Sequence, residues 1–315
     1  MYRVRSKNHE SKNPLVWILV VNWNGREDTL ACLASLRKVS YQPRHILVID
    51  NASTDGSVEA IREQFPEVEV LANAKNERFA RANNQGMEKA LAAGAGMVLL
   101  LNNDTEVAPD FLEHLVAAAE SRPDVGMVAP KIYYHHDPQL LWFAGGRVNF
   151  WTGRIYHLGL RQHEAPQSDQ QEHNSPEVVD FLTGCAILAK RECLEKIGWL
   201  DESYYMYVED VDWCWRARQA GFVCLYQPAA KIWHKVSASA GDSFKIYHKV
   251  LGNFVFFRRY ARWYHWPTIV LSVAAGAVIE IFRQLRRSPA QALSTTGALL
   301  RGFADIFLRR RIAKQ

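Results

Sequence analysis

HILVIDNASTDGSVEAIREQFPEVEVL, residues 45–71, decides the fold. The apolar run HILVI stops at Asp50, a polar turn follows, helical periodicity covers 57–65, and a second apolar run, VEVL, occupies 68–71. That is a strand–helix–strand unit. It is extended on both sides: LVWILVV (15–21) precedes a helical pattern over 26–38, and a helical pattern over 79–93 precedes MVLLL (97–101). Alternation of this kind predicts an α/β protein with a mainly parallel, Rossmann-like sheet and helices on both faces, whose ligands bind outside the carboxyl ends of the strands. Four polar segments, VNWNG, DNASTDGS, ANAKNERFARANN and LNNDT, each follow an expected strand.

Beyond Pro130 the rhythm changes. KIYYHH, GGRVNF and GRIYHLGL read as hairpin strands, and residues 161–177 as a mobile polar loop without periodicity. DFLTGCAILAK returns to a buried strand, a helix follows over 209–220, and FVCLYQP forms a last strand ahead of KIWHK. Residues 1–13 are expected to form a disordered lead.

Composition narrows the class. A chain of 315 residues with 48% hydrophobic content can build a large core and an appendage. The cysteines Cys32, Cys185, Cys193, Cys214 and Cys224 form no C-x-x-C spacing and are expected to be reduced thiols, which with the absence of a signal-type apolar region predicts a cytoplasmic protein. Charge is polarised. Residues 258–315 hold eleven Lys/Arg against two acids, a net +9, leaving −4 for the rest of a chain whose formal charge is +5. The basic tail is therefore expected to meet an anionic membrane surface or a lipid pyrophosphate, with no nucleic acid as partner.

Four clusters carry candidate chemistry. In DNASTDGS, Asp50 ends a strand and Ser53 or Asp55 can cap the next helix, a place suited to a nucleotide or to an ordinary helix cap. Neither G-x-G-x-x-G nor G-x-x-x-x-G-K-[ST] occurs, which argues against a dinucleotide fold and a P-loop. In NNDT, Asp104 can ligate a hard cation bridging a diphosphate, with Asn102 and Asn103 as neutral neighbours, or the segment is a polar turn. His234 is a further metal ligand or a satisfied core histidine. Glu209 and Asp210 open a helix, where the macrodipole favours an ionised Asp210 unless burial opposes it.

Taken in order, VNWNG (21–25), DNASTDGS (50–57), NERFARANNQG (76–86), LLLNNDTEV (99–107) and TGCAILAKRECLEKIGWLDESYYMYVEDVDWCWRARQAG (183–221) resemble the inverting family 2 glycosyltransferases, in particular rhamnosyltransferase-like members of bacterial cell-surface glycan assembly. The resemblance spans about residues 14–260. It implies a GT-A catalytic domain over 14–240, a nucleotide-sugar donor and a divalent metal, Mg²⁺ or Mn²⁺, held by Asp104 and His234. Asn22, Asn24, Asp50, Asn51, Ser53, Asn76, Arg78, Asn102, Asn103, Thr183 and Gly184 would lie around the donor. Asp210 would be the catalytic base, with Glu209 orienting or binding the acceptor.

Arg78 stands where the family carries a glycine, and either contacts the diphosphate or acceptor or is solvated. The first candidate donor is dTDP-L-rhamnose and the expected acceptor a glycan, in particular one linked to a polyprenyl diphosphate. The alternative is a noncatalytic nucleotide-sugar-binding scaffold. Residues 241–315 read as a helical, basic and apolar extension. Its segment IVLSVAAGAVIEIF, interrupted by Glu280, suits an interfacial helix better than a full span, so peripheral attachment to the inner face of the cell membrane is expected over a soluble helical cap.

Overall fold

The computed structural model of the chain describes residues 13–164, 173–236, 242–287, 296–302 and 304–305. The expected lead, apart from residue 13, the middle of the polar loop (165–172) and Arg309 to Arg311 lie outside the described residues.

Four strands, β1 (Val16–Asn22), β2 (Arg44–Asp50), β3 (Glu69–Ala72) and β4 (Met97–Asn102), alternate with α1 (Arg26–Leu36), α2 (Ser57–Gln64) and α3 (Arg78–Ala92). They pair in parallel in the order β3-β2-β1-β4. β1 and β4 are almost wholly buried, which is why they read as unbroken Val/Ile/Leu runs rather than alternating ones. Close packing on this sheet requires Gly86 of α3, since a Cβ there would lie 2.8 Å from a Leu19 methyl.

The chain continues through β5 (Thr105–Val107), α4 (Phe111–Glu120), β6 (Val125–Tyr134), β7 (Asp137–Phe143) and the hairpin β8 (Gly146–Asn149) with β9 (Arg154–His157). Then come β10 (Glu177–Val179), β11 (Ala186–Lys190), α5 (Arg191–Ile197), α6 (Glu209–Gln219) and β12 (Val223–His234). One sheet of ten strands results, in the order β10-β12-β6-β11-β4-β1-β2-β3, with β5 on β12 and β7 on β6. β6 and β12 run the same way as β1 to β4, whereas β5, β7, β10 and β11 run against them. The sheet is mixed and mostly parallel. Reversal of β11 beside β4 puts the start of β11 next to the end of β4: Ala186 pairs with Leu101, and the Asn102 N–H donates to the Cys185 carbonyl at 2.9 Å.

Two local expectations are corrected. The last strand does not stop before KIWHK: after an irregularity between Gln227 and Lys231 it continues to His234, because residues 231–234 find parallel partners in β6 and residues 232–234 antiparallel ones in β5. Neither Ser53 nor Asp55 is the N-cap of α2, a position held by Gly56 in the left-handed conformation at φ 77°.

α7 (Asp242–Tyr260) leads through a 3-10 turn (Trp263–His265) into α8 (Trp266–Arg287). α7 buries Phe256 and Phe257, which meet the ring of Phe150 at 6.1 and 5.5 Å. Its C-terminal end is tied to α6 through Asp212, whose carboxylate is fully buried. Asp212 accepts from Tyr204 Oη (3.2 Å), Tyr260 Oη (2.9 Å) and Arg259 Nη1 (3.2 Å) on one oxygen, and from Arg216 Nε (2.9 Å) on the other. α8 exposes Val270, Leu271, Val278, Ile279, Phe282 and Leu285, and Trp263 before it is 83% exposed. No helix among the described residues is long and apolar enough to cross a membrane.

Candidate active site

The ends of β1, β2 and β4 converge on Asn22. Its Nδ2 donates to Asp50 Oδ1 at 2.8 Å and to Ser53 Oγ at 3.1 Å. Its Oδ1 accepts from Thr29 Oγ1 (2.8 Å), Asn103 Nδ2 (3.1 Å) and the Gly25 N–H (3.2 Å). Asn22, Asp50, Ser53 and Asn103 therefore form one network at the carboxyl edge, with Asn22 and Asp50 buried and Ser53 and Asn103 half-buried. Gly25 is required there, since a Cβ would stand 2.5 Å from Asn103 Nδ2. Asn24 extends the network from a left-handed backbone (φ 51°): its N–H donates to Ser53 Oγ and its Oδ1 accepts from the Thr54 N–H at 2.7 Å. Ser53 thus braces the β1–α1 turn, and Asp55 joins both elements: its Oδ2 accepts from the Arg26 N–H at 3.0 Å and its Oδ1 from the N–H of Ser57, the first residue of α2, at 3.1 Å.

A second group forms beside it. Asn51 Oδ1 accepts from Asn73 Nδ2 at 3.0 Å, and its Nδ2 donates to the Arg78 carbonyl at 3.4 Å. Asn76 Oδ1 accepts from the Arg78 N–H at 2.8 Å. Arg78, with φ 67°, is exposed and pairs with no carboxylate among the described residues; its guanidinium lies 3.9 Å from the centre of the Tyr205 ring. A cation over an aromatic face is held there by the ring quadrupole. Arg78 and Tyr205 are 127 positions apart in the chain, so no sequence pattern links them.

The strand reversal at β11 assembles the remaining residues. Asn102 ends β4, with its carbonyl accepting from Thr105 Oγ1 at 2.7 Å. Asp104 follows it, and His234, the last residue of β12, brings Nε2 to 3.0 Å from Asp104 Oδ1; both side chains are nearly buried. His234 Nδ1 is buried without a partner. One carboxylate and one imidazole side by side at a strand edge fit two protein ligands of Mg²⁺ or Mn²⁺, with the rest of the shell left to diphosphate oxygens and water. Among the described residues no group of three or more His, Cys, Asp or Glu side chains is gathered as a complete protein cage.

On the β11 side, Thr183 and Gly184 precede the strand, and the Gly184 N–H donates to Asp210 Oδ2 at 2.7 Å. Asp210 Oδ1 accepts from the Val211 N–H at 2.8 Å. The pair is launched by Tyr207 and Val208, both left-handed at φ 70° and 75°, a costly conformation for a β-branched residue such as Val208 that packed surroundings must impose. Burial pushes the Asp210 carboxyl up, opposed by those two N–H donors and by the positive charge of Lys249 on α7. Burial is thus the condition under which the ionised form expected at the helix start is opposed. Glu209 is buried, its Oε2 has no partner, and burial together with the Asp210 charge pushes it up to about 8. Burial thus raises both carboxyls of the pair, and on Asp210 two N–H donors and Lys249 oppose it.

Asp104 and Asp210 share this edge. The Cys185 thiol, buried between the segments that carry them, is pushed far up by burial, then by the charges of Asp104 and Asp210 together. Lys249 is absent from the sequence-derived set. Its spacing on α7 marks it only as a helix-surface cation, and its ammonium lies 5.5 Å from the Tyr207 ring centre.

Comparison with known proteins gives a consistent picture. The glycosyl transferase family 2 profile matches residues 17–198. N-acetylglucosaminyl-diphospho-decaprenol L-rhamnosyltransferase of Mycobacterium tuberculosis is 28% identical over 283 residues, covering 81% of this chain and 89% of that one. dTDP-rhamnosyl transferase RfbF of Shigella flexneri is 20% identical, covering 71% of this chain and 70% of its own. The solved mannosyltransferase PcManGT of Pyrobaculum calidifontis, in complex with GDP-Man and Mn²⁺, superposes with a TM-score of 0.60 at 16% identity, over 95% of this chain and 89% of that one. That likeness is one of fold.

Proposed function

The chain belongs to glycosyl transferase family 2, and on that premise we propose that it moves L-rhamnose from dTDP-L-rhamnose to a hydroxyl of a polyprenyl-diphosphate-linked glycan, with inversion at the anomeric carbon. The observation that carries the reading is the placement of the Asp104–His234 pair and the Gly184-bonded Asp210 on one edge of the sheet. The names of the Mycobacterium and Shigella relatives support the donor sugar, and the former also supports the lipid-linked acceptor.

The nucleotide lies over the β1–β2 edge, where Asp50 and Asn51 meet base and ribose, and Asn22, Asn24 and Ser53 keep the supporting turns rigid. Thr183 and Gly184 border the donor sugar. Asp210 accepts the proton of the incoming acceptor hydroxyl as its oxygen attacks the anomeric carbon and the diphosphate departs. The Gly184 and Val211 N–H groups fix both oxygens of that carboxylate, so it is aimed before substrate arrives. Held by Asp104 and His234, a divalent cation would neutralise charge on the leaving diphosphate.

The basic extension and the outward apolar face of α8 support peripheral seating on the inner face of the cell membrane, where such an acceptor resides. The test is a panel of nucleotide sugars with Mn²⁺ and membrane-lipid extract, using wild type and Asp210→Asn. Sugar transfer by wild type, with the product anomer opposite to the donor's and loss in the variant, supports the reading. Donor binding without turnover by wild type would instead favour the scaffold.

A further inference from the structure

A groove of about 360 Å³ runs between residues 203–206 and one face of α7. The α7 residues on it, His248, Leu251, Gly252, Val255, Arg258 and Arg259, recur at helical spacing and form a continuous stripe. Near its N-terminal half the stripe meets the catalytic turn. Gly252 packs on Tyr207 and Val208 so closely that a Cβ would lie 3.0 Å from the Tyr207 carbonyl oxygen, and Lys249 beside it acts electrostatically on Asp210. The C-terminal end reaches Arg258, five residues before the exposed Trp263 that leads to the outward apolar face of α8.

The two arginines at that far end differ. Arg259 is committed to Asp201 and Asp212. Arg258 is exposed and makes no hydrogen bond or ion pair among the described residues. An arginine is always charged and matches the oxygens of a phosphate with a planar fork of donors. Between the ends the wall is aromatic and aliphatic, from Tyr204, Tyr205, Leu251 and Val255. From Lys249 to Arg258 the helix advances nine residues, roughly 14 Å at the rise of an α-helix.

We propose that this groove holds the prenyl-diphosphate end of the acceptor. Arg258 takes the diphosphate, the Tyr–Leu–Val wall carries the first sugar with its hydroxyl toward Asp210, and the prenyl chain leaves past Trp263 toward the bilayer. The inference rests on the transferase reading above and adds the site by which the acceptor is gripped.

The test is titration of farnesyl diphosphate into the full-length protein, followed by tryptophan fluorescence, with inorganic diphosphate, farnesol and phosphatidylglycerol vesicles as separate arms. Wild type should bind farnesyl diphosphate more tightly than inorganic diphosphate or farnesol. Arg258→Ala should weaken farnesyl diphosphate binding at least tenfold, Arg258→Lys should restore part of it, and Val255→Glu should weaken it by placing an anion on the groove wall. Equal binding by wild type and Arg258→Ala overturns the proposal. So does equal binding of inorganic diphosphate, or displacement of farnesyl diphosphate by the vesicles with the same dependence on Arg258. dTDP titrated into wild type reads the donor site independently: dTDP binding without farnesyl diphosphate binding defeats the groove alone, whereas absence of dTDP binding defeats the transferase reading.

Discussion

Gly184 donates its backbone N–H to Asp210 Oδ2 at 2.7 Å, joining the residue ahead of β11 to the first turn of α6. This bond fixes the proposed base against the strand edge that also carries Asp104. Asp210→Asn keeps the shape and removes the proton acceptor. Transfer should fall by about 10²–10⁴-fold, with dTDP affinity within a few-fold of wild type, measured by product formation and calorimetry.

Stability should depend on pH through Glu209. Its folded value of about 8 lies above the ordinary 4.5, so between those values the folded chain keeps a proton that the unfolded chain has released. The contribution is fully present below 4.5 and is lost as pH rises through 8. Thermal midpoints of wild type should therefore fall across this interval more steeply than those of Glu209→Gln, in melts at matched ionic strength. Parallel curves would contradict the assignment.

Asp212 gathers Tyr204, Arg216, Arg259 and Tyr260 onto one buried carboxylate. Asp212→Ala leaves two guanidinium groups without their shared partner and should cost about 3–5 kcal/mol in denaturant unfolding.

Gly252→Ala tests whether α7 supports the strained turn. Its Cβ would press the Tyr207 carbonyl and the Val208 side chain, both at 3.0 Å. Overpacking of this kind costs about 1–3 kcal/mol. Turnover should fall as the turn carrying Glu209 and Asp210 shifts, while the melting profile stays cooperative.

The first half of the fold was legible because β1 and β4 are almost wholly buried, and the apolar runs of β1 to β4 alternate with helices in the order of the chain. What the residues could not disclose was direction. AILAK reads equally well as a parallel or an antiparallel strand, and only the pairing of Ala186 with Leu101 brings Gly184 to the same edge as Asp104. The polar clusters were visible as strand-end segments, but their internal bonds were not. Ser53 looks like a cap of α2 because nothing local shows that Asn24 of the neighbouring turn claims its hydroxyl, and Asp55, which does accept from the Ser57 N–H of α2, gives its other oxygen to Arg26. The Arg78–Tyr205 contact and the approach of Lys249 to Asp210 join residues of widely separated segments, which no local pattern links.

Under the proposed assignment of the metal to Asp104 and His234, loss of the two ligands has unequal expected effects. Asp104→Asn should weaken Mn²⁺ binding more than His234→Ala, since it removes the anionic ligand, and EDTA should suppress transfer by wild type. Mn²⁺ titrations by electron paramagnetic resonance, in the presence of dTDP, read this without turnover.

The central claim is that Asp104 and Asp210 face one cleft from opposite sides. A crystal grown with Mn²⁺ and dTDP, analysed by anomalous scattering at the manganese edge, tests it directly. The account predicts a single strong peak on Asp104 and His234, with the diphosphate between that peak and the Gly184-bonded carboxylate of Asp210. Manganese bound elsewhere, or a diphosphate with Asp210 on the far side of the sheet, would contradict it.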